Sequence, residues 1–330
     1  MGKPIFLLTI IILFKNLVED GHSSYHDLRF LYSAAWLIIV VGFDNIFMSI
    51  SEKQKKLFDY LMPCLFLYTV YNSMQTFSYL SVSKDVFVIP TVYLCVMFTP
   101  WLLQLYTKKR ILFGFFILIL LFITAVSAKR GAIIATFLSL LIFFYNSGGY
   151  RTKGKRMKLV QVILFSLLGI FILLIVDDSL GGTLSARFSK NAITDGSGRR
   201  EINELALESI ANISSLKELF FGYSFGSNEL LHFGGHNDWL TFMLIHGLVG
   251  VGAFAYFYYI FYCHSLKNKQ YSICPSYSSL FVIMLLQSLY STSYNPTVHP
   301  LLGMIFIGYA EAQIRKEKFK KLNKAVHDLV

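Results

Sequence analysis

Charge is what this chain of 330 residues has least of: 15% are Asp, Glu, Lys or Arg. Soluble domains average about 25%, so an ordinary water-facing surface is excluded. Acidic residues are scarcer than basic ones, 19 against 30, and the net charge is +11. The four cysteines, Cys64, Cys95, Cys263 and Cys274, form no C-x-x-C pair and no metal-ligand spacing. Two lie inside apolar runs and two in one short gap, so all read as buried or reduced thiols. No metal site and no cofactor motif is expected. Internal repeats, low-complexity tracts and any stretch polar enough for a soluble domain are absent. No basic patch sits on a separate domain, so the positive charge does not point to nucleic acid.

What is present is apolar residues in blocks. They make up 55% of the chain, with 31 Phe and 20 Tyr, and Tyr and Trp favour membrane interfaces. Ten runs approach the ~20 residues a bilayer crossing needs: about 4–18, 30–50, 57–80, 86–106, 111–127, 131–146, 159–176, 238–262, 277–292 and 300–314. The reading is an all-α, polytopic transmembrane helical bundle of about ten spans, a single integral membrane domain over 1–330. Lys3 followed by Pro4 to Phe14 resembles a signal peptide, but no small-residue cleavage site follows. It is read as a retained first helix.

Cations alternate between the gaps. One side holds Lys3, Lys53, Lys55, Lys56, Lys108, Lys109, Arg110, Arg151, Lys153, Lys155, Arg156, Lys158, Lys267 and Lys269. It continues through Arg315, Lys316, Lys318, Lys320, Lys321 and Lys324. The opposite short gaps hold Arg29, Lys84, Lys129 and Arg130 alone. By the positive-inside bias both termini are cytoplasmic, and residues 177–237 form one large external loop.

Several polar groups interrupt this pattern. Asp44, Asn45, Asn72 and Gln75 fall within spans, where ionisable residues are functional suspects; Asp44 lies close enough to the cytoplasmic end to reach water. Lys129 and Arg130 stand at the external face, against the charge bias. They either hold an anion there or snorkel to lipid phosphates. The external loop contains Arg187 and then Ser197-Gly198-Arg199-Arg200. From Arg199 the residues Ile202, Leu205, Ala206, Ser209, Ile210 and Ile213 recur at helical spacing, an amphipathic helix suited to the membrane surface. Arg199 and Arg200 in its first turn oppose the helix dipole. They either serve a phosphate site or pair with Glu201, Glu204 or Glu208.

The loop returns through Phe221-Gly222-Tyr223-Ser224-Phe225-Gly226 to His236-Asn237-Asp238. A neutral imidazole at a helix start could accept a proton; Asn or Asp there also serves simply as an N-cap. Gly247, Gly250 and Gly252 suit close helix packing or a lipid groove. Tyr294, Asn295 and His299 contact a polar substrate or cap two spans. His22, His26 and His232 have nothing to distinguish them.

Taken together these residues resemble the O-antigen polymerase and ligase superfamily. His236-Asn237, nine residues and then Gly247-Leu248-Val249-Gly250 matches H-[NSQ]-x9-G-x-x-[GTY]. Lys129-Arg130-Gly131 looks like the family's Arg-Gly step between spans, and Ser197-Gly198-Arg199 like its Ser-Gly-Arg element. Phe221 to Gly226 looks like the glycine turn that follows. The motifs cover about residues 111–262; the family carries more spans, so the first hundred residues depart from its pattern.

The resemblance implies a metal-independent glycosyltransferase of the bacterial inner membrane, acting at its outer face on an undecaprenyl-diphosphate-linked oligosaccharide. His236 would be the general base. Arg130, Arg199 and Arg200 would bind the diphosphate with Arg187 and Lys129 beside them, and Asn237 and Asp238 would orient the histidine or contact sugar. Membrane lipids, a chain-length regulator and a flippase are the implied partners. The reaction would be polymerisation of repeat units into O-antigen or capsular glycan. The rivals are a ligase passing finished glycan to lipid A–core and a flippase or transporter of the same lipid.

Overall fold

The computed structural model describes residues 38–82, 91–127, 129–151, 171–179, 199–223, 237–290 and 298–327, with isolated positions between. Among the described residues every regular element is a helix and there is no strand. In chain order these are α1 (Ile38–Ser49), α2 (Glu52–Val82), α3 (Val92–Met97), α4 (Thr99–Leu103), α5 (Leu105–Lys108), α6 (Arg110–Val126) and α7 (Arg130–Arg151). There follow α8 (residues 171–179), α9 (Arg199–Ala211), α10 (Leu216–Phe221), α11 (Asp238–Lys267), α12 (Cys274–Tyr290) and α13 (Val298–His327). Two runs, Arg130–Ser147 and Asp238–Lys267, are long and apolar enough to cross a membrane by length and composition; α1, α6 and Cys274–Leu289 are apolar but shorter. The run at 4–18, and 159–176 apart from its last residues, lie mainly outside the described residues.

Two expected spans differ from simple rods. Over its described residues, 91–106, the run at 86–106 is three short helices, because the backbone tightens to i→i−3 bonds at Phe98, Trp101 and Gln104 (3.0–3.1 Å). Pro100, which has no N–H to give, stands in the second of them.

The larger correction concerns 238–262. A straight helix would separate Trp239 from Tyr258 by about 28 Å along its axis, yet their ring centroids are 5.8 Å apart. Phe242 stacks on Phe254 at 4.4 Å, where a straight helix would put them about 18 Å apart. The two pairs are centred at and just past residue 248, so α11 folds back on itself. The reversal is at Gly247, whose φ of 61° and ψ of −160° interrupt the helix. Gly250 follows because a Cβ there would stand 2.1 Å from the Cβ of His246. One glycine turns the chain and the other lets the arms close. The outer arm, residues 238–246, rises about 13 Å, and only residues 248–267, about 30 Å, match the hydrocarbon thickness.

α13 runs through the centre. Phe306 and Tyr309 meet Trp101 at 4.7 and 4.8 Å, Tyr309 meets Phe47 at 4.9 Å, and Phe58 lies 5.2 Å from Trp101. Gly308 admits α1: a Cβ there would lie 2.7 Å from the Val40 carbonyl oxygen. Past the aromatic layer, at what we call the tail end, α13 carries a belt of polar contacts. Arg315 pairs with Asp44 and Lys55 donates to Gln313 at 2.6 Å. Glu311 meets His264 at 3.3 Å, and Lys108 pairs with Asp59 at 2.7 Å beside it. Asp44 is therefore a partner of the tail end, where it anchors α1 to α13.

Candidate functional site

The opposite end, around Gly247, is the tip end, and it is held by backbone. α10 is capped by Ser215, whose hydroxyl accepts from the Glu218 N–H at 3.1 Å, and it ends at Gly222 with φ 78°. A Cβ on Gly222 would lie 2.4 Å from the carbonyl carbon and oxygen of Ile245; one on Gly247 would lie 2.5 Å from those of Phe220. The two glycines cross with main chain against main chain, and no side chain fits between. Tyr223 then donates its N–H to the Leu244 carbonyl at 2.7 Å, next to the helix break. Its hydroxyl donates to the Ser209 carbonyl at 2.8 Å, in the last turn of α9. Carbonyls at helix ends lack an intrahelical partner, so one residue serves two helix ends. Burial, with Glu218 nearby as a lesser cause, raises the Tyr223 phenol above its ordinary pKa and keeps it a donor.

The outer arm begins with a conventional cap. Asn237 Oδ1 accepts from the N–H groups of Trp239 (2.9 Å) and Leu240 (3.3 Å), an arrangement worth about 1 kcal/mol. Asp238 follows at 1% exposure, in the first turn, where the helix dipole favours a carboxylate. Trp239 Nε1 donates to Ser288 Oγ of α12 at 3.1 Å. The neighbouring Gln287 donates to the Tyr93 carbonyl at 3.5 Å, and Lys129 lies 4.8 Å over the Tyr93 ring. Tyr93, Gln287 and Ser288 thus connect the Lys129 turn to the start of the outer arm. α7 packs along α12, and Val176 of α8 meets Ala125, Val126 and Ile133. Asp177 and Asp178 therefore come to the same end as Lys129 and Arg130.

Of the residues expected from sequence, Asn237, Asp238 and Lys129 share this neighbourhood, and Arg130 opens α7 half-buried beside them. Arg200 comes from another element. It is exposed on α9, where its Nε meets Glu204 Oε1 at 2.6 Å one turn on. That is the carboxylate pairing weighed for this arginine, and an exposed pair of this kind contributes little. Arg199 begins α9. His236 and Arg187 lie outside the described residues, as do Ser197, Gly198, His22, His26, His232, Tyr294 and Asn295.

Sequence reading missed Trp239, Tyr223 and Ser288. A tryptophan directly after Asn-Asp at the head of an apolar run was the available signal, since there are three in the whole chain. It also missed His246, buried at the reversal with its ring 5.2 Å from Phe242. No family model matches the chain, and no curated protein matches it either.

Proposed function

We propose that the protein is a polytopic membrane glycosyltransferase of about ten spans that lengthens a lipid-linked glycan. Its tip end would face outward and its basic tail end the cytoplasm. The substrate would be an undecaprenyl-diphosphate-linked oligosaccharide in the bacterial inner membrane, and the product a longer O-antigen or capsular chain. The observation that carries this reading is the folded-back helix. Irregular backbone inside a membrane protein is tolerated where it is buried or lines a cavity, and half-helices commonly serve polar substrates. Here the short arm turns its capped N-terminus, with Asn237 and Asp238, toward the Tyr93–Ser288 neighbourhood, with Lys129 above Tyr93; His236 directly precedes Asn237 in sequence.

In this mechanism His236 takes the proton from the attacking sugar hydroxyl as the new glycosidic bond forms and the bond to the diphosphate breaks. Arg130, Arg199 and Arg200, with Lys129 and Arg187, stabilise the charge developing on the departing diphosphate. Arg200 would exchange Glu204 for phosphate, a swap that costs little at an exposed pair. Asn237 and Asp238 hold the histidine or a sugar hydroxyl. Finished glycan could instead be passed to another acceptor by the same chemistry, and the product distinguishes the two. Membrane vesicles containing the protein and lipid-linked repeat units should yield a ladder of longer glycans. His236→Ala should lower the rate by roughly a hundredfold or more, the scale of a general base. Full elongation by that variant would remove His236 from the mechanism; unchanged chain length with the native protein would remove the glycosyltransferase.

A further inference from the structure

We infer that Tyr223, with the Gly222–Gly247 crossing, is a positioning device that sets the arginine-bearing helix α9 against the outer arm that Asn237 caps. This rests on the glycosyltransferase reading for its functional half. The geometry is that of a caliper. From the Tyr223 hydroxyl at Ser209, α9 runs back nine residues to Arg200, about 13 Å. From the Tyr223 N–H at Leu244, the outer arm runs back to Asn237, about 10 Å. α9 also packs on α11. Arg200 and Asn237, on different elements, therefore share one pivot at Tyr223, its hydroxyl on one side and its amide on the other.

The pivot is specific because the crossing excludes every side chain. At both glycines φ is positive, 78° and 61°, where residues other than glycine are strained. A Cβ at either would collide with backbone, which cannot swing aside as a flexible side chain would. The Tyr223 ring reaches α9 from a backbone already fixed to α11, so α9 cannot shift without giving up that bond. A purely structural turn would need the glycines but not the phenolic hydroxyl.

The test separates the two halves. In Tyr223→Phe the bond to Ser209 is lost while the main-chain bond to Leu244 stays. KM for the lipid-linked donor should rise roughly three- to tenfold, the loss of one neutral hydrogen bond, with kcat and its pH profile unchanged. In Gly222→Ala the crossing itself must open. Spin labels at Glu201→Cys on α9 and Leu248→Cys on α11, with the four native cysteines replaced by alanine, should show one narrow distance distribution for the parent. The same pair in Gly222→Ala should show a broader or displaced one. An unchanged distribution in Gly222→Ala overturns the clamp, and an unchanged KM in Tyr223→Phe overturns its role in donor placement. If the native chain elongates nothing, the glycosyltransferase reading falls, and the distance measurement still decides the clamp.

Discussion

The two ends of the bundle are held by opposite means. At the tail end, α13 is tied to its neighbours by charged and polar side chains: Arg315 to Asp44, Lys55 to Gln313, and Glu311 to His264. At the tip end the fastening is main chain to main chain, through Gly222, Gly247 and the Tyr223 amide. Side-chain pairs tolerate rotamer changes and fluctuate. A glycine crossing tolerates none. Side-chain pairs alone make the belt at one end, whereas at the other a main-chain crossing sets the frame to which Tyr223, Asn237 and Trp239 add their side-chain bonds.

The contrast can be broken most sharply at Gly247. Gly247→Ala places a methyl group 2.5 Å from the Phe220 carbonyl at positive φ, and should cost ~3 kcal/mol or more. Thermal unfolding in detergent would show it, with glycan elongation lost in parallel. Gly252, five residues on in the straight arm, has nothing within 4 Å of its ideal Cβ. Gly252→Ala should be neutral or stabilising by up to ~1 kcal/mol. Equal effects at the two positions would mean that the reversal is not what the glycine is for.

A middle-sized effect is expected at the tail end. Arg315→Ala leaves Asp44 largely covered without its cation, and should cost about 1–3 kcal/mol. Adding Asp44→Asn should restore part of the loss, and elongation per folded molecule should stay unchanged. A drop in specific activity would mean that the two ends communicate. The smallest stability effect belongs to Arg200→Ala, at most about 0.5 kcal/mol for an exposed i,i+4 pair. Melting should barely move. A loss of elongation with unchanged melting would assign Arg200 to the donor, and retention of both would remove it from the proposed mechanism.

Much of this was legible in residue order. The blocks of apolar residues foretell helices, and α6, α7, α12 and the amphipathic α9 begin within three residues of where the pattern places them. Asn237 as a cap follows from its type and from the apolar run behind it. The motif spacing is explained by the structure in a way the pattern alone does not state. The residues between Asn237 and Gly247 are the length of the short arm, and Gly250 is where the arms touch. Arg200 was the opposite case: both its readings were visible, and only a distance to Glu204 could favour one.

Hydropathy and charge, which add up residue by residue, were enough to determine a helical, strongly apolar chain with its cations gathered in alternate gaps. They could not determine direction. A run of apolar residues has the same hydropathy whether it continues straight or doubles back, so the reversal at Gly247 was decided by contacts between residues twelve and nineteen apart. The crossing with Gly222 was decided the same way. Glycine announces freedom locally, but which backbone fills the space it leaves is set by the rest of the fold.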